Sequence, residues 1–433
     1  MKTIVFIGTN KSGSSYEAIK ASENLNYYTV LLTDRKSFFD KRLDFPHVHS
    51  MRMCDMDSID GVRSAISRLA EDRFMICAIV SFIDPHCHTA AVLAREFGLK
   101  SFTGAAIATM LDKIKSREAL SGTPYSPPYH VINGGEYGAE AMPGLPLILK
   151  APVSSSSKDV HMATTAGQYQ GALAELRRRY PDAPILVEKY INGPQYLVET
   201  LTINGKVNII AVVEQEITFS GRFIITGYQM VTDENSALFY SLEEAVGAII
   251  NAHGMRDGPC HLELRRIDGQ WKLIEANPRI SGGAMNLFVE TAYGVNLAKE
   301  TLKFALGLSP DLRRKYTKET FLQYVVVPRE GVLTKVTGKS MALSSPGALH
   351  VYVKPKKGSV LLPPASMGHR YAYVIGTGES ASDARKNAKT AASKIKFHLR
   401  AIGDECKFGN ESAGDGNVYI GMGEFSNNTV CEP

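Results

Sequence analysis

The chain has 433 residues, enough for two or three domains of ordinary size, each with its own hydrophobic core. Hydrophobic residues make up 44% of the sequence and charged residues 21%, a balance that is typical of soluble globular proteins and excludes a disordered or fibrous chain. The net charge of +5 comes from lysines and arginines that are mostly dispersed, so the composition argues against nucleic-acid binding.

No targeting or anchoring segment is predicted. The amino terminus enters a strand-like run at once, without the charged segment and long apolar run of a signal peptide. No apolar segment approaches membrane-spanning length. The six cysteines lack the paired spacing of a zinc site or a disulfide framework. We therefore expect a cytoplasmic protein without membrane or nucleic-acid partners.

The first quarter of the chain alternates between strand and helix patterns. Strands are predicted over 3–8, 29–34 and 78–82, and helices over 13–23, 58–71 and 89–97. This alternation predicts a parallel, doubly wound sheet. Gly8, Gly13 and Asp34 imitate a dinucleotide-binding fingerprint, but their spacing does not fit G-x-G-x-x-G, so no NAD site is predicted.

The middle of the chain mixes strands and helices. A helix opens at Lys113, a Pro- and Gly-rich stretch leads into a strand ending at Lys150, and four serines follow at 154–157. Asn204-Gly205 predicts a hairpin turn. Further helices are predicted over 167–179, 241–251, 284–293 and 302–308, with strands over 147–150 and 185–190 and extended chain over 219–231.

Residues 320–400 predict a small α+β module of short strands followed by a long helix over 381–399. Residues 403–433 are rich in glycine with scattered Asn and Ser, and their periodicity is weak. The sequence leaves open whether they form a tail or a late hairpin.

Residues 261–283 carry the most informative pattern of the chain. Two strand-like runs flank Asp268-Gly269, and acidic side chains occur on both runs. A three-residue loop over 267–269, with glycine at the φ > 0 position, is a common closure for such a hairpin. This loop predicts that Glu263 lies opposite Leu273.

Side chains alternate between the two faces of a strand, so this register predicts that Glu263, Glu275 and Asn277 share one face. Glu275 would then be a diagonal neighbour of Glu263. A two-residue loop would turn Glu263 into the apolar face, and for that reason the pattern favours the longer loop. The apolar face is expected to contain Leu262, Leu264, Ile274 and Ala276.

Two carboxylates and one amide oxygen on a common face predict a site for Mg²⁺ or Mn²⁺, because such cations prefer oxygen ligands together with phosphate and water. Arg279 follows two residues after Asn277, where it could meet an anion beside the metal. The alternative interpretation is an exposed hairpin with ordinary surface acids.

The string Glu275-Ala276-Asn277-Pro278-Arg279, preceded by Glu263 and followed by Gly282-Gly283, resembles the metal-binding segment of ATP-grasp ligases. That resemblance implies an ATP-grasp fold, α/β and α+β in class, with an amino-terminal doubly wound parallel-sheet domain and a carboxyl-terminal α+β module. The implied organisation is residues 1–108 for the first domain, 109–315 for the ATP-grasp domain with a lid at about 122–188, 316–402 for the last module, and 403–433 as a tail.

The resemblance also implies an ATP site. Lys113 and Lys150 match the two lysines that the family places on the nucleotide phosphates. Ser156 and Ser157 lie in the lid loop, where the family commonly has glycines. Further positions correspond to the segment that holds adenine and ribose, and Gln195 stands where the family has an acid; these positions are Glu188, Tyr190, Ile191 and Gln195.

The implied reaction is the ATP-dependent joining of a carboxylate to an amine through an acyl phosphate. Size and layout are most similar to the L-amino-acid ligases, which make dipeptides, including small peptide antibiotics. Arg279 would then act on the acceptor carboxylate or the acyl phosphate. Small-molecule substrates are expected, and a homodimer is compatible with the pattern. The implied substrate-binding residues are Arg279, Gly282, Gly283, His261 and Tyr228.

Other functions remain open at this stage. A carboxylase or a phosphotransferase could be built on the same scaffold, and in a phosphotransferase the phosphate stays on the acceptor. A nucleotide-binding regulator without catalysis is a further alternative, although the complete set of Glu263, Glu275, Asn277 and Arg279 argues against it.

Overall fold

The structure is a computed structural model that describes residues 1–133, 144–152, 159–219, 223–364 and 366–402. Its amino-terminal unit contains a parallel sheet of four strands. The elements are β1 (Lys2–Ile7), α1 (Ser14–Asn24), β2 (Tyr28–Thr33), α2 (Lys36–Asp40), β3 (Ser50–Met53), α3 (Ile59–Glu71), β4 (Met75–Val80) and α4 (Asp84–Glu96).

The parallel sheet is covered on both faces, in the order β3-β2-β1-β4. Ile4 and Phe6 of β1 pack against Ile19 of α1 on one face. On the other face Val5 and Ile7 pack with residues of α3 and α4. Alternating side chains of a buried strand serve both layers, so the predicted doubly wound sheet is confirmed. The short strand β3 and helix α2 were not predicted.

A second, smaller sheet follows two helices. The elements are α5 (Gly104–Leu111), α6 (Lys113–Ala119), β5 (Tyr129–Ile132), β6 (Leu147–Lys150), β7 (Val160–Ala163), α7 (Ala166–Arg179) and β8 (Ile185–Lys189). The strands pair antiparallel in the order β5-β8-β6-β7. Tyr169, Leu173 and Leu176 recur at helical spacing on α7 and pack on this sheet.

The largest sheet has eight strands and includes both the predicted hairpin and part of the carboxyl-terminal module. Its order is β13-β12-β9-β10-β11-β14-β18-β16. The remaining elements of the chain are β9 (Gln195–Ile203), β10 (Lys206–Phe219), β11 (Phe223–Met230), α8 (Ala237–Ala252), β12 (Gly258–Ile267), β13 (Gln270–Asn277), α9 (Met285–Tyr293), α10 (Leu297–Ala305), β14 (Glu319–Val325), β15 (Gly331–Thr337), α11 (Lys339–Leu343), β16 (Ala348–Val353), β17 (Val360–Leu361), β18 (Ala372–Gly378), α12 (Ala381–Ala392) and β19 (Lys396–Arg400).

The large sheet has two different faces. One face, with Tyr196, Val198 and Leu262, packs on α5 and α8. The opposite face, with Leu197 and Val213, packs on α9, α10 and the amino-terminal unit. Consecutive residues of β9 therefore belong to different cores, as the alternation of a strand requires. The second face also carries the acidic side chains of the hairpin.

The long helix predicted over 381–399 is wrong at its end. Helix α12 stops at Ala392, and β19 pairs with β15 to form a sheet in the order β17-β15-β19. Ala384, Ala388 and Ala391 line the buried side of the helix. Phe397 and Leu399 alternate with exposed residues instead, which is the period of a strand.

None of the helices in the described parts of the chain combines the length and apolarity that a membrane crossing would need.

Candidate active site

The hairpin β12–β13 closes with a two-residue turn rather than the predicted three-residue loop. Ile267 pairs with Gln270, and the intervening Asp268 and Gly269 have φ angles of 50° and 78°. Positive φ at both central positions is the requirement of a type I′ turn, which Asp-Gly satisfies well. The prediction of the loop was therefore wrong.

A β-bulge then restores the predicted face. The pairing shifts between Glu263 and Leu264, so that Leu264 faces Leu273 while Glu263 faces Glu275 directly. Ile274 is the extra residue of the bulged strand. Leu273, rather than the predicted Ile274, enters the apolar core with Leu262, Leu264 and Ala276, and Ile274 is half-buried.

The acidic side chains of the hairpin share one face, as predicted, but they are closer in register than predicted. Glu275 is the direct cross-strand partner of Glu263, not its diagonal neighbour, and Asn277 lies opposite His261. Two like charges directly opposite each other destabilise a sheet unless something offsets them. The surrounding side chains supply part of that compensation.

Lys113 contacts the Glu275 side of this pair. Its Nζ lies 3.1 Å from Oε1 of Glu275, and the side chain is 12% exposed. Lys113 is the first residue of α6, where the Asp112 carboxylate accepts hydrogen bonds from the backbone N–H groups of Ile114 and Lys115. This cap fixes the helix start, and with it the origin of the lysine side chain.

Gln195 contacts the Glu263 side of the pair. Its Nε2 donates to Oε2 of Glu263 at 2.9 Å, and its Oε1 accepts from Nε of Arg265 at 2.8 Å. Arg265 also donates to the carbonyl of Ile191 and lies over the ring of Tyr190. The segment predicted to hold adenine is thus connected through one arginine and one amide to Glu263.

His261 is buried between two carboxylates. Its Nδ1 lies 2.6 Å from Oε1 of Glu199, and its Nε2 lies 3.7 Å from Oε1 of Glu263. Burial lowers the pKa of His261, but the Glu199 charge and hydrogen bond outweigh it and raise the pKa to about 9. The histidine is therefore protonated at neutral pH. Glu199 also accepts from the backbone N–H of Ser281, which joins it to the glycine-containing loop.

Glu188 forms a closed cluster with two cations. Its Oε2 lies 2.6 Å from Nζ of Lys150, and its other oxygen accepts from Nε of Arg117. Arg117 also donates to the carbonyl of Ile274, at the bulge of the hairpin. Burial raises the pKa of Glu188, but Arg117 and Lys150 outweigh it and hold the pKa below its ordinary value. Two cations meet one carboxylate here, so the cluster retains positive charge.

Arg279 forms a bidentate ion pair with Asp84, at the start of α4. Its Nε and Nη2 each donate to one Asp84 oxygen at 2.6 Å, and its Nη1 donates to the carbonyl of Ile280. Burial alone lowers the pKa of Arg279, whereas Asp84 raises it above its ordinary value. The predicted anion-binding arginine therefore joins the amino-terminal unit to the loop after the hairpin.

The glycine pair lies against the amino-terminal unit. Gly283 has φ of 62°, and a Cβ added to Gly13 would lie 3.0 Å from the backbone N and O of Gly283. The two backbones can approach this closely because Gly13 lacks a side chain, and the positive φ of Gly283 favours glycine there. Gly282 is exposed and has open space around it.

Tyr228 and the two lid serines are the remaining predicted residues of the site. Tyr228 is buried in β11, and its hydroxyl lies 3.4 Å from Nη1 of Arg370. Ser156 and Ser157 fall outside the described residues, so the predicted lid contact with phosphate stays a prediction.

Several residues of the site were not identified from the sequence. Arg117 lies four residues after Lys113, one helical turn along α6, and this spacing could have indicated that both serve one site. Asp84 follows β4 at the carboxyl end of the parallel sheet, where binding residues commonly lie. Arg265 carried no signal beyond its charge.

The donor set of the hairpin suits a hard cation. Within the described ranges, no three His, Cys, Asp or Glu side chains are grouped so as to hold a metal ion. The predicted ligands are instead two opposed carboxylates and the amide oxygen of Asn277. Mg²⁺ held by this set would take phosphate oxygens and water at its remaining positions. Burial raises the pKa of Glu263, but His261, Lys150 and Arg279 outweigh it and hold the pKa below its ordinary value.

Two parts of the chain match models of known domains. Residues 143–286 match the ATP-grasp domain, and residues 323–400 match the L-amino acid ligase C-terminal domain 2. The chain is 22% identical over 226 residues to an L-arginine-specific L-amino acid ligase from Bacillus subtilis, covering 50% of this chain and 54% of that protein. It is 23% identical over 424 residues to an uncharacterised protein, y4rH, from Sinorhizobium fredii, covering 93% of this chain and 84% of that protein.

Structural comparison agrees. A crystal structure of an L-amino acid ligase from Bacillus licheniformis superposes with a TM-score of 0.78 at 17% identity, covering 92% of this chain and 99% of that one. At that identity the likeness establishes the fold. The family resemblance carried by residues 261–283 is confirmed.

Proposed function

We propose that this chain, an ATP-grasp protein with the C-terminal domain of L-amino acid ligases, joins the carboxylate of an amino acid or related acid to the amine of an amino acid. The products would be a dipeptide or amide, ADP and phosphate. The observation that carries the proposal is the direct pairing of Glu263 with Glu275 on β12 and β13, with Lys113 3.1 Å from Glu275.

Glu263, Glu275 and Asn277 are the proposed metal ligands. The fit rests on their oxygen chemistry and on the register of the hairpin, which places the two glutamates directly opposite each other on one face. Bound Mg²⁺ or Mn²⁺ would neutralise charge on the oxygens of the β- and γ-phosphates. Gln195 and Lys113 orient the two carboxylates from opposite sides of the hairpin.

The proposed nucleotide site uses the positive charge of the cluster around Glu188. Glu188 fixes the ammonium group of Lys150, and Arg117 supplies the second buried cation. Lys113 and Lys150 would meet the phosphates, with Ser156 and Ser157 of the lid loop above them. Tyr190 and Ile191 would border the adenine ring, beside Glu188 and Gln195.

The proposed reaction uses these charges in two steps. An oxygen of the acid substrate attacks the γ-phosphorus, and the bond to the β,γ-bridging oxygen breaks, giving an acyl phosphate and ADP. The amine then attacks the acyl carbon, loses a proton, and releases inorganic phosphate. Fixed cations at Lys113 and Lys150 stabilise the developing charge without reorganisation. Arg279 is placed at the loop that contains Gly282 and Gly283, where the acid substrate would enter.

The experiment is a screen for ADP and phosphate release from ATP against all pairs of common amino acids and small dicarboxylates. The proposal predicts release that requires both an acid and an amine, with an amide product in equal amount. A phosphorylated acid that accumulates without amine would instead identify a phosphotransferase. Tight ATP binding with no ADP for any pair would identify a regulator.

A further inference from the structure

Two arginines lie near the glycine pair, and they differ in their counter-charges. Arg279 already meets a carboxylate, because Asp84 accepts from both its Nε and its Nη2 at 2.6 Å. A guanidinium group binds one carboxylate in this fork geometry. The arginine that the family resemblance assigns to substrate is thus committed to a partner within the chain.

Arg370 has a different environment. It is half-buried, its Nε donates to the carbonyl of Met367 at 3.1 Å, and its Nη1 donates to the Tyr228 hydroxyl at 3.4 Å. Its guanidinium carbon lies 3.8 Å from the centre of the Tyr324 ring. These partners are neutral, and no carboxylate among residues 1–133, 144–152, 159–219, 223–364 and 366–402 forms an ion pair with Arg370.

The strand registers place Arg370 on the side of the sheet that carries the acidic hairpin. Glu263 pairs with Leu197, and Leu197 pairs with Val213 of β10. Gln215, two residues further along β10, pairs with Tyr228. Directly opposed residues, and residues two apart, share a face. Glu263 and Tyr228 therefore point to the same side of the sheet.

The strand register then leads from Tyr228 to the tyrosine ring that Arg370 contacts. Tyr228 pairs with Leu322, and Tyr324 lies two residues further along β14, so the Tyr324 ring is also on this side. A Cβ added to Gly283 would lie 3.8 Å from the Tyr324 hydroxyl. Arg370 is thus one aromatic ring away from the glycine loop of the proposed substrate site. Stacking on Tyr324 leaves the rim of the guanidinium plane open, and Nη2 of Arg370 donates to no group among the described residues, so this nitrogen can donate to an anion.

We propose that Arg370 binds the retained carboxylate of the amine-bearing amino acid, the one that is still a free carboxylate in the product. This inference rests on the proposed ligase function. The carboxylate to be activated must reach the γ-phosphate, where Lys113, Lys150 and the metal ligands lie. The retained carboxylate takes no part in the chemistry, so it needs a fixed cation apart from the phosphates. A guanidinium without a carboxylate partner of its own suits that task.

The test compares Arg370→Met with wild type, using each amine substrate both as the free amino acid and as its carboxamide. For the free amino acid, KM is expected to rise about 10- to 100-fold, the loss expected for a charge-assisted hydrogen bond. For the carboxamide, and for ATP, KM should stay close to the wild-type value. Arg370→Lys keeps the charge without the fork, and it should give a smaller increase with the free amino acid.

Arg385→Met is the matched control. Arg385 also lies over an aromatic ring of β14, that of Phe321, but on the opposite face, where it is exposed and paired with Glu216. Its substitution should leave KM for both forms of the amine substrate unchanged. Thermal unfolding of all variants checks that each is folded.

A binding measurement distinguishes a failure of this inference from a failure of the proposed ligase function. Thermal shifts of wild type and Arg370→Met are measured with the common L-amino acids and with their carboxamides, with and without ATP. The assignment of Arg370 is supported if amino acids stabilise the wild type, carboxamides do not, and the variant loses the stabilisation. This result would stand even if no pair of substrates yields ADP. Equal loss with both forms, an unchanged KM, or a change confined to the activated acid would overturn the assignment.

Discussion

The Glu188 cluster and the hairpin pair are the two charged regions of the site, and they have opposite imbalances. At Glu188, two buried cations surround one carboxylate. At the hairpin, Glu263 and Glu275 oppose each other directly, and Glu199 adds a third carboxylate beyond the protonated His261. The first region is complete as a buried structure and retains positive charge. At the second, the three carboxylates meet two cations, Lys113 and His261, so these five groups keep one negative charge in excess. The difference fits the proposed site, in which the first region would meet the phosphate chain and the second would hold the metal ion.

The Glu188 cluster should contribute more to the stability of the fold than the hairpin pair does. Glu188→Gln leaves Arg117 and Lys150 buried without a counter-charge, and the free energy of unfolding should fall by about 3–5 kcal/mol. Denaturant unfolding measures the change. Glu243→Gln, on the exposed side of α8, is the control and should have almost no effect. A fully stable Glu188→Gln variant would contradict the role of this cluster.

The Glu188 cluster also predicts how the free energy of unfolding changes with pH. Because the folded pKa of Glu188 is below its ordinary value of 4.5, its stabilising contribution is present above that value. The contribution is lost as the pH falls through the folded pKa. Stability measured from neutral to acidic pH should therefore fall less steeply for Glu188→Gln than for wild type.

The hairpin pair should be more important for activity than for stability. Glu275→Ala removes a proposed metal ligand, and turnover should fall at least about 100-fold, the upper range seen even for outer-shell partners of metals. The fold should remain intact, since the side chain is half-buried on a strand near its end. ADP release measures the loss. Asp268→Asn, in the turn of the same hairpin, is the control; wild-type activity of Glu275→Ala would exclude the metal assignment.

The link between the amino-terminal unit and the hairpin can be tested at Arg279. Lysine cannot reproduce the two parallel hydrogen bonds of the planar guanidinium to Asp84, so Arg279→Lys should lower kcat/KM about 10- to 100-fold, the range for lost hydrogen bonds to a charged group. Steady-state kinetics with saturating ATP measures this effect. Unchanged kinetics would mean that the bidentate geometry is not required.

The smallest effect is expected at the turn. Gly269 has φ of 78° and open space where a Cβ would be, so Gly269→Ala should cost about 1–2 kcal/mol through backbone strain alone. Gly171→Ala, inside α7 and also without neighbours at the Cβ position, should be neutral or stabilising. Equal stability changes in the two variants would argue against the left-handed turn.

The hairpin also shows what the sequence could and could not predict. The alternation of apolar and acidic residues predicted that Glu263 and Glu275 share a face, and this part of the prediction is correct. The turn chemistry of Asp268-Gly269 favoured two residues, which conflicts with that face. The bulge at Ile274 resolves the conflict, and no residue pattern indicated it. The hairpin around Asn204-Gly205 was predicted correctly, although it too has a shift in register, between Ile209 and Ala211.

Other features depend on contacts between distant parts of the chain. Asp84 and Arg279 are separated by 195 positions, and Lys150 meets Arg117 only through Glu188. Local periodicity contains no information about such pairs. The end of α12 at Ala392 was missed because Lys396–Arg400 gains its strand conformation by pairing with β15.

The most direct test of the account is to measure ADP, phosphate and amide product together, with and without Mg²⁺, for a pair of substrates found by the screen. We expect the three products in equal amounts, formed only when acid, amine and metal are all present, and almost none of them with Glu275→Ala. Product formation without metal, or phosphate transfer that persists when the amine is omitted and leaves a stable phosphorylated acid, would contradict the ligase assignment.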